Sequence, residues 1–311
     1  MPMSYPTDER LVELTDRLET GIKEIYASGR YAEYLRSMSK FHRYSFGNAL
    51  LILFQCPTAT CVAGYTTWKR EFGRNVKRHE KGIQILAPCP TQRYVWQEVT
   101  DPNTGKVLYN PDGSPRRETQ LVTVTRFKVA TVFDISQTEG KELPSLGVTR
   151  LTGDVENYTA IYNKLTLLSP VPVEIDICPG EANGYFSSSE NRIVLRPGMS
   201  QIQTIKTLVH EIAHAKLHDA RAVPPEERKQ RREKEVEAES IAYVVCQHFG
   251  IDTSDYSFGY VAGWSRGKEM DELKSSLDLI HSTAGEMIAA LNDTYNILAP
   301  QRSKPTHQHA R

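Results

Sequence analysis

TLVHEIAHAKLH, Thr207 to His218, is the stretch on which the reading of this chain turns. Leu208, Val209, Ile212, Ala213 and Leu217 recur at three- and four-residue steps, which predicts an amphipathic helix. On such a helix His210 and His214 differ by about 40° in azimuth and one turn in height, so both imidazoles can reach one ion. Zinc suits the pair because it takes neutral nitrogen ligands at about 2.0–2.1 Å without imposing a d-electron geometry. Glu211, about a quarter-turn away, is placed to hold a water whose pKa the ion draws toward ~7, and to accept its proton. His218 lies about 12 Å along the axis from His210, too far to share the ion on a straight helix.

Working outward, Ser200 with Gln203 resembles a capping box that opens this helix. Upstream, NGYFSSSENRIVLRPG (Asn183–Gly198) reads as a hairpin turning at Ser188 to Asn191, VPVEIDI as a strand, and Val155 to Leu168 as a helix. An edge strand of that hairpin could pair with an extended peptide. Downstream, DARAVPPEERKQRREK is a charged loop, followed by a helix from about Glu233 to Phe249 that ends at Gly250. That helix supplies the third ligand a catalytic zinc requires. Glu235 and Glu239 share one face and Glu237 takes nearly the opposite one. Glu235 is read as the ligand and Glu239 as the acceptor that orients a histidine, with the reverse still open. A closed structural metal site could use the same ligands. Tyr256 and Tyr260 are candidates for oxyanion stabilisation or simple packing. Met270 to Leu298 is helical, and residues 300–311 read as a disordered tail.

The N-terminal half is patterned differently. Arg10 to Ile25 forms an amphipathic helix and Tyr31 to Phe54 another. GIQILAP, RYVWQEV and TQLVTVTRFKVATVFDI are β-branched and partly alternating, with DPNTGKVLYNPDGSPRR marking the turns at the tip of a long hairpin. Between Trp68 and Arg93, seven cations (Lys69, Arg70, Arg74, Lys77, Arg78, Lys81, Arg93) face only Glu71 and Glu80. Aromatic residues Tyr44, Phe46, Tyr65, Trp68, Phe72, Tyr94 and Trp96 lie in and around that patch. Cations interleaved with rings suit sequence-tolerant single-strand binding, although a solvated basic strand pair has the same composition.

The 311 residues exceed what one domain usually holds, and the polar stretch from Ser136 to Val148 is the natural linker. The expected fold class is α+β in two domains, an N-terminal module over 1–140 and a metal-binding module over 151–299, joined by 141–150. Apolar content of 39% and the absence of a long apolar run argue against a membrane span. Five cysteines, an odd number, with no signal peptide in the opening residues, suit free thiols in the cytoplasm. Net charge is zero, so only local charge bears on nucleic acid.

Two long runs carry a resemblance. YSFGNALLILFQCPTATCVAGYTTWKREFGRNVKRHEKGIQILAP (Tyr44–Pro88) and VFDISQTEG (Val132–Gly140) resemble the single-stranded-DNA-binding domain of ArdC-type antirestriction proteins. HEIAHAKLH and KEVEAESIAYVVCQHFGIDTSDYSFGYVAGW resemble their metallopeptidase half, which is similar to the ImmA/IrrE-type zincins. The resemblance implies a gluzincin-like domain with one Zn2+ per chain, held by His210, His214 and Glu235, and Glu211 as the catalytic residue. It also implies a plasmid or mobile-element protein that helps incoming DNA escape restriction. The single strand would meet Tyr44, Asn48, Trp68, Lys69, Arg70, Arg74, Lys77, Arg78 and Lys81. Phe46 stands where the family has Trp, and the hairpin tip between Val99 and Gln120 is longer than the family pattern. A DNA-protecting protein with a structural metal, and a peptidase that cuts a repressor, are the other functions compatible with these motifs.

Overall fold

The computed structural model describes residues 9–27, 30–102, 104–143, 155–251, 258, 261, 265 and 267–298. Most of the expected linker, Tyr256, Tyr260 and the tail lie outside the described residues.

The chain is mixed α+β. Helices α1 (Glu9–Ala27), α2 (Tyr31–Lys40) and α3 (Phe46–Gln55) open it. The expected single helix from Tyr31 to Phe54 is thus two, because Ser45 breaks it: extended at φ −64°, ψ 158°, its side chain accepts the Asn48 N–H and caps a new helix. A short β1 (Val62–Gly64) leads into α4 (Tyr65–Arg70) and β2 (Arg74–Val76). GIQILAP and RYVWQEV merge into one strand, β3 (Ile83–Glu98), which pairs residue by residue with β4 (Arg117–Asp134). Pro88 and Pro90 do not end β3, since it is an edge strand in the order β1-β4-β3 and proline is tolerated there. At the root of this ribbon α3 covers the open edge. Asn48 exchanges two hydrogen bonds with the Leu86 backbone, and Gln55 two with that of Gln84. Strand β5 (Thr138–Gly140) then pairs with β2.

After α5 (Val155–Leu168), β6 (Val173–Ile175), β7 (Gly184–Ser187) and β8 (Arg192–Leu195) form a small sheet in the order β6-β8-β7. Three helices complete the chain: α6 (Gln201–Leu217), α7 (Arg231–His248) and α8 (Met270–Leu298). The cap of α6 is half of the expected box. Ser200 accepts the Gln203 N–H, while the Gln203 side chain turns to Thr207. Among the described residues no helix is long and apolar enough to cross a membrane.

One apolar core runs through both halves. Leu14, Leu18, Ile22, Tyr31 and Leu50 share it with Leu208, Ile212, Val236, Ile241, Leu277 and Ile288. Helix α7 is its centre, with α2, α6 and α8 packed around it. Tyr31 and Ser240 hydrogen-bond at 3.0 Å across the α2–α7 seam. A smaller core, with Ile52, Val62, Ile83 and Val132, lies under the ribbon root.

Where the α2–α3 turn meets the end of α7, His42 and His248 pack edge to face at 4.8 Å. Burial, reinforced by the His248 and Arg43 charges, lowers His42 to about 4. Burial also lowers His248 and His281, although backbone hydrogen bonds and, at His281, Asp278 pull the other way. Neutral in the folded state, these groups leave stability intact above the unfolded histidine value near ~6.5 and subtract from it as pH falls from there through about 4. We therefore expect a melting temperature that declines between pH 6.5 and 4.5, and more shallowly in His42→Gln. A pH-independent melting temperature over that range would contradict this reading.

Candidate metal centre

Helix α6 buries Leu208, Val209, Ile212 and Ala213 in the core, so the helical period turns His210 and His214 toward α7. Their Nε2 atoms lie 3.0 Å apart, and Oε2 of Glu235 lies 3.5 Å from His210 and 3.7 Å from His214. Donors at about 2.0–2.1 Å from a tetrahedral ion stand about 3.3–3.4 Å apart, and these separations bracket that edge. The two nitrogens and one oxygen therefore fit a small divalent ion. Among the described residues this is the one cluster of histidine, cysteine and acidic side chains close enough to hold a metal.

The electrostatics match. The neighbouring imidazoles, His210 first and then His214, hold the Glu235 carboxyl far below the usual carboxylate range. Burial lowers His214, favouring the neutral imidazole that donates a lone pair. At His210 burial is outweighed by the Glu235 hydrogen bond and the charges of Glu211, Glu235 and Glu239, which raise it; the same acidic field favours a cation. Burial raises Glu211, against opposing contributions from His210 and the Phe186 backbone.

Behind His214 stands a buried chain. His214 Nδ1 and His218 Nδ1 are 3.0 Å apart, and His218 Nε2 lies 3.0 Å from Glu237 Oε2. Glu237 also accepts from Lys229 and from Ser276 of α8. The proton order follows from the carboxylate: His218 donates from Nε2 to Glu237, its Nδ1 accepts from His214 Nδ1, and His214 Nε2 is left with its lone pair facing the cluster. At His214 the orienting partners are His218 and, behind it, Glu237. Glu237, read as the opposite face of α7, is fully enclosed there. Its two-residue offset from Glu235 points it past the cluster toward the end of α6. An acidic side chain among Ala238, Ile241 and Val245 was the signal available in the sequence.

Glu239, whose charge acts on His210, borders a cleft of about 290 Å³ with Gln203, Lys206, Thr207, His210, Glu211 and the start of β7. Gly184 sets the edge strand β7 against α6. A Cβ there would lie 2.7 Å from Thr207 Cγ2 and 2.9 Å from the Val194 carbonyl oxygen.

In the N-terminal half, three expected DNA contacts turn inward. Trp68 is fully buried and donates from Nε1 to the Phe133 carbonyl at 2.8 Å. Tyr44 donates to Val62, and Asn48 is the buried bridge to β3. Arg74 is half-buried and ties β2 to β5 through Thr138 and Lys141. Lys69, Arg70, Lys77, Arg78 and Lys81 are exposed, with Lys77 donating to the Ser136 carbonyl.

Residues 8–133 match the family model of the N-terminal domain of anti-restriction factor ArdC. The chain carries an ArdC N-terminal domain. An uncharacterized Bacillus anthracis protein, pXO2-81, is 29% identical over 345 residues, covering 96% of this chain and 54% of its own length. The chain thus spans about half the length of that curated relative. Crystal structures of the antirestriction ArdC protein from the R388 plasmid are 20% identical to this chain. The metal-free form has a TM-score of 0.48 and covers 81% of this chain and 85% of that one. The Mn(II)-bound form has a TM-score of 0.44, with 82% and 85% covered. The ArdC-type domain spans α1 to the end of β4, so the basic loop and the long ribbon belong to it and the histidine–glutamate cluster lies beyond it.

Proposed function

We propose that this chain is a single-stranded-DNA-binding antirestriction protein whose C-terminal half, residues 151–299, is a gluzincin-like zinc peptidase domain joined through 141–150 to residues 1–140. The observation that carries the peptidase reading is the His210–His214–Glu235 cluster beside Glu211 at an open cleft. Bound there, zinc would supply Lewis acidity, drawing the pKa of a coordinated water toward ~7 and polarising a carbonyl. Glu211, buried at the cleft wall, takes a proton from the attacking water and returns it to the leaving nitrogen. Its raised pKa suits a group that must both accept and donate. His218 and Glu237 hold His214 in the ligating tautomer, and β7 offers its free edge to an extended peptide. For DNA, the support is the family match together with the exposed cations Lys69, Arg70, Lys77, Arg78 and Lys81.

The test is metal content by elemental analysis of the wild type, Glu211→Gln and Glu235→Ala, with peptide cleavage and single-strand binding on the same samples. We expect near-stoichiometric zinc, kept by Glu211→Gln and lost by Glu235→Ala, with cleavage reduced about 10²–10⁴-fold in Glu211→Gln. A wild type without metal would remove the peptidase reading. DNA binding lost together with the metal would favour a structural ion in a DNA-protecting protein.

A further inference from the structure

The β3–β4 ribbon leaves the body of the protein near Pro88 and continues as two strands alone for about 33 Å, at ~3.3 Å per residue. Residues paired across an antiparallel ladder share a face, so the register sorts the arm into two surfaces. One carries Tyr94 opposite Leu121, Trp96 opposite Thr119, and Pro88 opposite Phe127. Tyr94 is 73% exposed, Trp96 72% and Phe127 53%. The other carries Arg93, Arg126 and Lys128 among valines. Neither β3 from Ile83 to Gln97 nor β4 from Thr119 to Phe133 contains a carboxylate. At the arm's root lie Lys77, Arg78 and Lys81, immediately before β3 and beside the 3₁₀ turn Ile135–Gln137.

An exposed row of large rings on an unsupported ribbon is costly to keep in water and marks a contact surface. The cations at the root and along the stem, with the carboxylates Glu98 and Glu118 confined to its far end and paired there with Arg117 and Arg116, select a polyanion. Tyr94 and Trp96 stand about 6.8 Å apart on one face, suited to taking separate, unstacked bases. We propose that this arm is the base-stacking element of a single-stranded nucleic-acid site, with Tyr94 and Trp96 under the bases and Arg78 and Lys81 on phosphates at its root. The proposal rests on the single-strand reading above and moves its aromatic contacts from Trp68 and Tyr44, which are engaged inside the protein, to the arm.

The test is fluorescence anisotropy with labelled oligothymidine across a salt series, on the full chain. Tyr94→Ala/Trp96→Ala should weaken binding about tenfold or more, since each stacked base contributes roughly 1–3 kcal/mol, with an unchanged salt slope and melting temperature. Trp96→Phe in the otherwise native chain should retain most of the affinity. Arg78→Ala/Lys81→Ala should instead flatten the salt slope by about 1.4, from ~0.7 per phosphate contact on a single strand. Wild-type affinity in the ring variant, with a weakened Arg78→Ala/Lys81→Ala, would overturn the arm and keep single-strand binding. No wild-type binding even at low salt would overturn both. A larger loss on duplex than on single strand, or a change in oligomeric state with DNA binding intact, would assign the arm to another partner and overturn the proposal.

Discussion

Glu237→Ala is expected to destabilise the protein by about 3–5 kcal/mol, the usual cost of removing one partner from a buried ion pair. The carboxylate is fully enclosed and accepts from His218, Lys229 and Ser276 at once. Without it the His218 Nε2–H and the Ser276 hydroxyl lose their acceptor inside the core. Lys229, part-exposed, can swing toward water, which places the cost nearer the lower end. The second consequence is at the cluster. With Glu237 gone, nothing requires His218 to present a lone pair to His214, so His214 can take the tautomer that turns an N–H toward Glu235 and His210. Removing such an outer partner typically lowers metal affinity 10–100-fold. Denaturant titration and chelator competition would measure the two effects. Wild-type stability with wild-type chelator resistance would show the buried chain to be dispensable. Glu286, largely exposed and 4.0 Å from Lys216, supplies the contrast: Glu286→Ala should change stability by less than about 0.5 kcal/mol.

Trp68→Ala is expected to cost about 3–5 kcal/mol as a large-to-small core substitution, with a further contribution from the Phe133 carbonyl that loses its donor. The indole is fully buried and tilted on Phe72 at 5.1 Å. Its truncation should lower the melting temperature and reduce DNA affinity only in proportion to the folded fraction, leaving the salt slope of the folded molecules unchanged. Thermal denaturation beside anisotropy decides it. An unchanged melting temperature with a large loss of affinity would return Trp68 to the DNA surface.

The histidine pair was legible from spacing, while the choice between Glu235 and Glu239 was not. His210 and His214 are four apart and Glu235 sits on a separate acidic helix, and the fold brings their donor atoms together. The outer partners were less legible. His218 was set aside because it is too far along the helix to share an ion with His210, and that distance is what makes it the neighbour behind His214. Glu237 was placed by azimuth on nearly the opposite face from Glu235, but a helical wheel does not show that the end of α6 and Ser276 of α8 converge on it there. In the N-terminal half, composition gathered cations and rings into one patch, but composition carries no inside or outside. Trp68 closes a core and Tyr94 stands in water.

The sequence by itself determined the secondary-structure periods, the long ribbon with its turn-rich tip, and the chemistry of the histidine–glutamate pair. These follow from interactions within a few residues: caps, alternation and the four-residue repeat. Only the tertiary structure decided that α7 is packed from both halves of the chain, which acidic side chain stands beside the histidines and which stands behind them, and which rings face solvent. Each depends on elements far apart in sequence meeting at a particular rotation, and local pattern does not encode that rotation.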